Sequence, residues 1–194
     1  MMNMYRYLIV ESKKEIKQDE TVIVSLFSEF IEFTKIETET HALHLFYDRE
    51  SDVSFLEVVL NIMSDTLSDL RIYVSYQFEQ EQDLLTHMKY IKNKLAQIPF
   101  NKFVFLDDKI ILRNFLNQVD SMMKQHILKK YANDLIMIDS IKNYLESNQN
   151  TSVASKKIYV HRNTLIQRID KFKEITGFDV RDFNDAFLIY HLIK

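Results

Sequence analysis

The sequence predicts a helix-rich α+β protein, in which an amino-terminal α/β domain is followed by an all-α domain. Strand and helix patterns alternate from the amino terminus to about residue 119, and only helical patterns follow. Such an alternation is typical of a sheet covered by helices. The single glycine and the single proline indicate few and short turns. We place the boundary after Tyr131, which gives an α/β regulatory or dimerisation domain over residues 1–131 and an all-α domain over residues 132–194.

Each strand of the first domain is predicted from a run of β-branched and aromatic residues, and each helix from apolar residues three or four positions apart. The predicted strands cover residues 5–10, 41–47, 71–78 and 102–106. The predicted helices that alternate with them cover residues 21–33, 53–67, 81–96 and 107–119. Further helices are predicted over residues 122–131, 133–147 and 182–193.

The composition excludes several classes of function. The chain has no cysteine, which rules out disulfides, thiolate metal sites and thiol catalysis. One glycine cannot form the loops that P-loop and dinucleotide-binding sites need to bring backbone amides close to phosphate. No apolar run reaches the roughly 20 residues that span a bilayer, and the amino terminus lacks the pattern of a signal peptide. We therefore expect a cytoplasmic protein with no membrane contact, no metal and no cofactor.

Charge is divided unevenly along the chain. Residues 150–194 hold eight Lys or Arg and five Asp or Glu, a net charge of +3, whereas the remaining residues carry −6. A basic segment attached to an acidic body is typical of a nucleic-acid-binding module joined to another domain.

Residues 150–177 have the pattern of two short helices joined by a tight turn. Asn150 or Thr151 can cap the first helix, and the small pair Ala154–Ser155 lets the second helix cross closely. Tyr159 occupies the turn, where glycine is frequent in such motifs. The other residues expected to face inward are Val153 and Ile158 on the first helix and Val160 in the turn.

The second helix, over residues 161–175, is predicted to be the major-groove recognition helix of a helix-turn-helix. His161 or Asn163 can cap it, and Gly177 can supply the left-handed residue that ends it. Successive residues rotate by about 100°, which directs Leu165, Ile169 and Phe172 to the core. The side chains predicted to read bases are His161, Asn163, Thr164, Ile166, Gln167 and Lys171. Those predicted to bind phosphates are Lys156, Lys157, Arg162 and Arg168.

These patterns together predict a sequence-specific DNA-binding transcription regulator whose partner is double-stranded promoter or operator DNA. A homodimer is expected, because two half-sites multiply affinity. The operator, the direction of regulation and any small-molecule or protein effector are left open by the residues.

The segment VHRNTLIQRIDKFKEITGFDV resembles the carboxy-terminal helix-turn-helix of PucR/CdaR-type bacterial regulators, in which V-H-R-N-T-L-x-x-R followed by T-G-x-D is characteristic. The matching positions are Val160 to Leu165, Arg168, Thr176, Gly177 and Asp179. The resemblance spans about residues 134–194 and implies promoter binding, often as a dimer. Upstream, residues 73–96 and 103–116 are similar to the degenerate cyclase-like (GGDEF-like) domain that precedes this module in such regulators.

Three other functions remain open. The first is a nucleotide-binding, cyclase-like activity, which is suggested only by the similarity of the first domain to cyclase-like domains. The acidic pair Asp107–Asp108 is expected to cap a helix, so no catalytic residue is predicted. His41 and His44, with Asp48 and Glu50, are metal-ligand types, but a strand puts the two imidazoles on opposite faces. A partner-binding or scaffold protein would show surface aromatic residues in the first domain. The aromatic residues concerned are Phe27, Phe30, Phe33, Phe46 and Tyr47.

Overall fold

The structure is a computed structural model that describes residues 4–48 and 69–194. The chain forms two compact units, Met1–Asp108 and Lys109–Lys194. The first contains a mixed sheet with helices and the second is helical, which confirms the predicted order of the two folds. The boundary after Tyr131, which lies within the second unit, stays a proposal.

The described residues of the first unit form a five-stranded sheet. Its strands are β1 (Arg6–Ser12), β2 (Lys35–Thr38), β3 (Ala42–Tyr47), β4 (Leu70–Val74) and β5 (Phe105–Leu106). Their order across the sheet is β2-β3-β1-β4-β5. β4 and β5 are parallel, and the other neighbouring pairs are antiparallel. β1 and β2 therefore run parallel on either side of β3, which is the split β-α-β arrangement.

The helices of this unit differ in length from their predictions. The α-helices that begin among its described residues are α1 (Glu20–Ser28), α2 (Glu81–Leu95) and α3 (Asp108–Asn114). α3 begins at the unit's final residue, and the rest of it belongs to the second unit. α1 ends five residues before the predicted limit, and α3 gives way to a 3-10 turn at Leu116–Gln118. The helix predicted over residues 53–67 lies outside the described residues.

The strand β2 was not among the predicted strands. Three of its four residues are exposed, and the strand pairs with β3 at one end of the sheet order. Its sequence, Lys-Ile-Glu-Thr, has two charged residues, which are common on edge strands because they discourage pairing with other chains. A strand this short and polar has too little hydrophobic alternation to be recognised from sequence.

One face of the sheet packs on α1 through a buried apolar cluster. Leu8 and Val10 of β1 lie in this cluster with Ile23 and Phe27 of α1. Of the five aromatic residues that would have marked an interaction surface, Phe27, Phe46 and Tyr47 are buried, whereas Phe30 is 36% exposed. Most of these side chains thus serve the core, which weakens the scaffold alternative.

The opposite face of the sheet holds a buried polar network. The Tyr73 hydroxyl donates to Asp108 Oδ1 at 2.6 Å, and the Tyr7 hydroxyl lies 2.9 Å from His87 Nδ1. His87 Nε2 lies 3.2 Å from the same Asp108 oxygen. Burial, together with the Asp108 carboxylate, raises the pKa of both Tyr7 and Tyr73 well above the usual value.

This network predicts alkaline sensitivity. The unfolded chain loses the two phenolic protons near pH 10, while the folded chain keeps them, so stability present below pH 10 is lost as the pH rises further. The loss approaches about 2.7 kcal/mol per pH unit for two phenols. Urea midpoints between pH 8 and 11.5 should fall steeply above pH 10, and less steeply in Tyr73→Phe. Equal slopes for the variant and the wild type would show that Tyr73 does not keep its proton in the folded state.

The second unit continues with five further helices among its described residues. They are α4 (Ser121–Leu128), α5 (Leu135–Glu146), α6 (Thr151–Lys157), α7 (Arg162–Thr176) and α8 (Phe183–Ile193). Four of them begin after an Asp or Asn whose side chain accepts a backbone N–H of the first turn, as strong N-caps do. The capping residues are Asp120, Asp134, Asn150 and Asp182.

The described ranges offer neither a membrane span nor a metal cluster. No helix in them is long and apolar enough to cross a membrane, and no group of three or more His, Asp or Glu in them could hold a metal ion. His44 is buried within β3, whereas His41 precedes the strand and its Nδ1 lies 3.0 Å from the Lys14 carbonyl oxygen.

Candidate DNA-binding surface

The first helix of the motif, α6, is fixed at its start by Asn150. The Asn150 side-chain oxygen accepts the backbone N–H groups of Ser152 and Val153 at 3.0 and 3.1 Å. Ala154 and Ser155 are 0% and 4% exposed, so the small pair is buried as close helix packing requires. The prediction that Val153 faces inward is wrong, because its side chain is 45% exposed.

The turn after α6 is a Schellman motif centred on Tyr159. The N–H of Val160 donates to the Ser155 carbonyl at 3.0 Å, and the N–H of Tyr159 donates to the Lys156 carbonyl at 3.3 Å. Tyr159 has φ 55° and its side chain is 95% exposed. Val160 is only partly buried, which corrects the prediction of a buried turn residue.

The second helix, α7, has the cap and the end that the sequence predicted. His161 is the N-cap, and its Nδ1 accepts the N–H of Asn163 at 3.2 Å. Gly177 takes the left-handed conformation, φ 81°, and its N–H donates to the Lys173 carbonyl at 2.8 Å. The helix spans Arg162–Thr176, one residue later than predicted at each end.

The apolar side of α7 is packed into the core of the unit. Leu165, Ile169 and Phe172 are at most 1% exposed, as their spacing predicts. The Phe172 ring stacks on Tyr131 with centroids 6.0 Å apart. These contacts fix which side of the helix faces outward.

The outward side of α7 carries most of the predicted base-reading residues. His161, Asn163, Gln167 and Lys171 are exposed, while Thr164 and Ile166 are partly buried at the borders of the face. Asn163 and Gln167 are four residues apart, so their amides lie on neighbouring turns of one face. Adenine is the base that such amides bind in bidentate fashion.

The same side also carries two acidic residues that the predicted base-reading and phosphate-binding sets do not include. Asp170 and Glu174 are exposed, and the 100° rotation per residue places them about 140° and 180° from Leu165. A helical wheel of the whole helix would have found both. Because carboxylates repel phosphate, the carboxyl-terminal part of α7 suits a polyanion less well than its start. Asp170 is in addition paired with Arg181.

The four predicted phosphate contacts fall into two groups. Lys156, Lys157 and Arg162 are exposed, and Arg162 Nε donates to Thr151 Oγ1 at 3.1 Å, which holds its guanidinium beside the start of α6. Arg168 is partly buried, and its Nη1 donates to Ser140 Oγ of α5 at 2.7 Å. Arg168 thus fastens α7 to α5, a contact that the sequence did not reveal.

The segment T-G-x-D that ends α7 is explained by its hydrogen bonds. Thr176 Oγ1 donates to the Phe172 carbonyl at 2.7 Å and accepts the N–H of Phe178 at 3.2 Å. Asp179 Oδ2 lies 2.9 Å from Lys173 Nζ. Partial burial acts to raise the pKa of Asp179, but bonds from Lys173 and the Arg181 backbone hold it below the usual value. The segment therefore stops the helix and fixes the following loop.

Comparison with known families agrees with this geometry. Residues 137–194 match the PucR C-terminal helix-turn-helix domain. The match contains all of α6, α7 and α8 and most of α5, and it confirms the resemblance to PucR-type regulators in this region. The cyclase-like resemblance of the first unit stays a prediction.

Two proteins of Bacillus subtilis (strain 168) align with more than half of this chain. The DNA-binding transcriptional activator AdeR is 33% identical over 131 residues, which are 62% of this chain and 30% of AdeR. The uncharacterized protein YxkF is 24% identical over 136 residues, which are 66% of this chain and 46% of YxkF. The chain thus spans less than half the length of these two relatives.

One solved structure also aligns along most of the chain. The Regulator of Polyketide Synthase Expression from Bifidobacterium adolescentis covers 98% of this chain, which in turn covers 78% of that chain, with a TM-score of 0.46 and 14% identity.

Proposed function

We propose that this protein is a sequence-specific DNA-binding transcription regulator that inserts the first three turns of α7 into the major groove. The observation that carries the proposal is the exposed polar side of α7, on a helix whose other side is anchored by Leu165, Ile169 and Phe172. The PucR-type match over residues 137–194 and the activator name of AdeR support it. In a bacterial cell such a regulator acts in the cytoplasm.

The side chains divide into base and phosphate contacts according to their positions. Base reading is assigned to the outward and border residues of the first three turns of the helix and its cap. They are His161, Asn163, Thr164, Ile166, Gln167 and Lys171. Lys156, Lys157 and Arg162 bind phosphates. Arg168 has donors besides the one bound to Ser140, and its phosphate contact is secondary to holding α7 in place.

A salt series on Arg162→Ala tests the phosphate assignment. Removing one phosphate-bound cation should weaken binding to all fragments alike and reduce the slope of log affinity against log salt by about 1. Lys89→Ala is the matched control, because Lys89 is an exposed cation of α2 in the first unit and its loss should leave the slope unchanged. If both variants gave the wild-type slope, Arg162 would not touch the DNA.

We propose that the protein binds its operator as a homodimer, and that α8 offers a face for the second copy. Phe183, Phe187 and Tyr190 are four and three residues apart, share one side of α8, and are 78%, 53% and 38% exposed. Aromatic side chains are enriched where proteins associate. We further propose that the first unit is a regulatory domain, or a second dimerisation domain beside α8. Its ancestry is proposed to be cyclase-like, and an effector would be a small molecule or a protein.

The double variant Phe183→Ser, Phe187→Ser tests this face. It should shift the monomer–dimer equilibrium, measured by sedimentation, towards monomer, because the variant removes the largest exposed apolar area of α8. Val22→Ser serves as the control, since Val22 is 53% exposed on the first unit. An unchanged dimer in the double variant would place the interface elsewhere.

A further inference from the structure

The turn between α6 and α7 is built on a residue type that its backbone disfavours. Tyr159 is the left-handed C′ residue of the Schellman motif, with φ 55°. Glycine is the usual residue at this position because it has no Cβ to collide with the neighbouring carbonyl. The Tyr159 side chain packs on almost nothing, since it is 95% exposed. Its presence therefore lowers the stability of the turn without a visible compensating contact inside the protein.

The surroundings of Tyr159 suit a polyanion. The exposed cations Lys156 and Lys157 lie three and two residues before it, and Arg162 lies three residues after it. In a helix-turn-helix the first helix crosses the DNA backbone while the start of the second contacts base edges. The turn between them then lies at the rim of the groove, where phosphates line the DNA.

We propose that Tyr159 is a further DNA contact, whose hydroxyl donates a hydrogen bond to a backbone phosphate oxygen at the rim of the major groove. Tyr side chains are among the groups that bind DNA phosphates. The contact positions α7 in the groove and reads no base. This inference rests on the proposed function, because it needs the turn to face DNA.

The test compares three variants of the full chain on the DNA fragment that the wild type prefers. Tyr159→Phe keeps the ring and the backbone and removes only the hydroxyl. It should lower affinity by roughly 10- to 150-fold, the usual effect of losing a hydrogen bond to a charged group. Because the phenol is neutral, the salt slope should stay at the wild-type value. Tyr159→Phe should bind every single-base variant of the fragment more weakly than the wild-type protein does, by the same factor as for the preferred fragment.

Tyr159→Gly separates the DNA contact from the strain of the turn. It should raise the melting temperature by roughly 4–8 °C and at the same time lower affinity at least as much as Tyr159→Phe. Asn148→Gly is the matched control, because exposed Asn148 is the left-handed C′ residue, φ 52°, of an equivalent motif after α5. Its affinity should equal that of the wild type.

The possible results distinguish the two proposals. If the wild type prefers a fragment and Tyr159→Phe binds it equally well, the Tyr159 contact is refuted and the proposed function stands. If the wild type binds no DNA, both are refuted. If Tyr159→Phe binds like the wild type while Asn148→Gly loses as much affinity as Tyr159→Gly, the effect of glycine comes from the backbone, and the Tyr159 contact is overturned.

Discussion

Leu165→Ala is expected to destabilise the second unit by about 2–5 kcal/mol, the usual effect of truncating a buried leucine. Leu165 is 0% exposed and lies on the apolar side of α7 with Ile169 and Phe172. Its loss leaves a cavity beneath α7 and so also weakens the support for the outward residues of that helix. Urea unfolding followed by circular dichroism measures the effect, and DNA affinity should fall as the folded fraction falls.

Leu135→Ala is the matched control for this prediction. It makes the same chemical change in the same unit, but Leu135 is 81% exposed at the first position of α5. Substitutions at such surface positions usually change stability by no more than about 0.5 kcal/mol. Equal effects of the two variants would mean that α7 is not packed through Leu165, and the orientation of its polar side would then be wrong.

Asn163→Ala is expected to reduce discrimination between the preferred fragment and a single-base variant by about 5- to 150-fold, which corresponds to the 1–3 kcal/mol of one bidentate base contact. Asn163 is exposed in the first turn of α7, where helix-turn-helix proteins touch bases. Replacing the base pair at one adenine position of the site should no longer change the affinity of the variant. The salt slope should keep its wild-type value because no charge is removed.

Glu174→Ala provides the contrast on the same helix side. Glu174 is 11 residues from Asn163, about 16 Å along the helix axis, and should lie beyond the bases. Its removal should leave discrimination intact and slightly strengthen binding, because one carboxylate is lost. If Asn163→Ala kept full discrimination, base reading would have to be assigned to other residues of the helix, beginning with Gln167.

The parts of the motif that the sequence predicted correctly depend on interactions within a few residues. The caps at Asn150 and His161 follow from side chains that bond to backbone groups two or three positions away. The left-handed Gly177 follows from the absence of a Cβ. The buried side of α7 follows from the helical repeat. These interactions join residues that are close in the sequence and depend little on distant parts of the chain, so they could be predicted without a structure.

The parts that could not be predicted depend on distant partners. Arg168 looks like a free cation in sequence, and it is engaged because Ser140, 28 residues earlier, lies beside it. The strand β2 exists because β3 provides its hydrogen bonds. Val153 has the spacing of an inward residue, yet α6 is so short that only Ala154 and Ser155 are covered.

The most direct test of the central claim is interference by methylated guanine N7, a position exposed only in the major groove. Fragments of the source genome that bind the purified chain would be selected, partially methylated and bound again. We predict strong preference for one fragment, with methylation at a few guanines of its site blocking binding. Equal binding to all fragments, or a preferred site indifferent to N7 methylation, would contradict the insertion of α7 into the major groove.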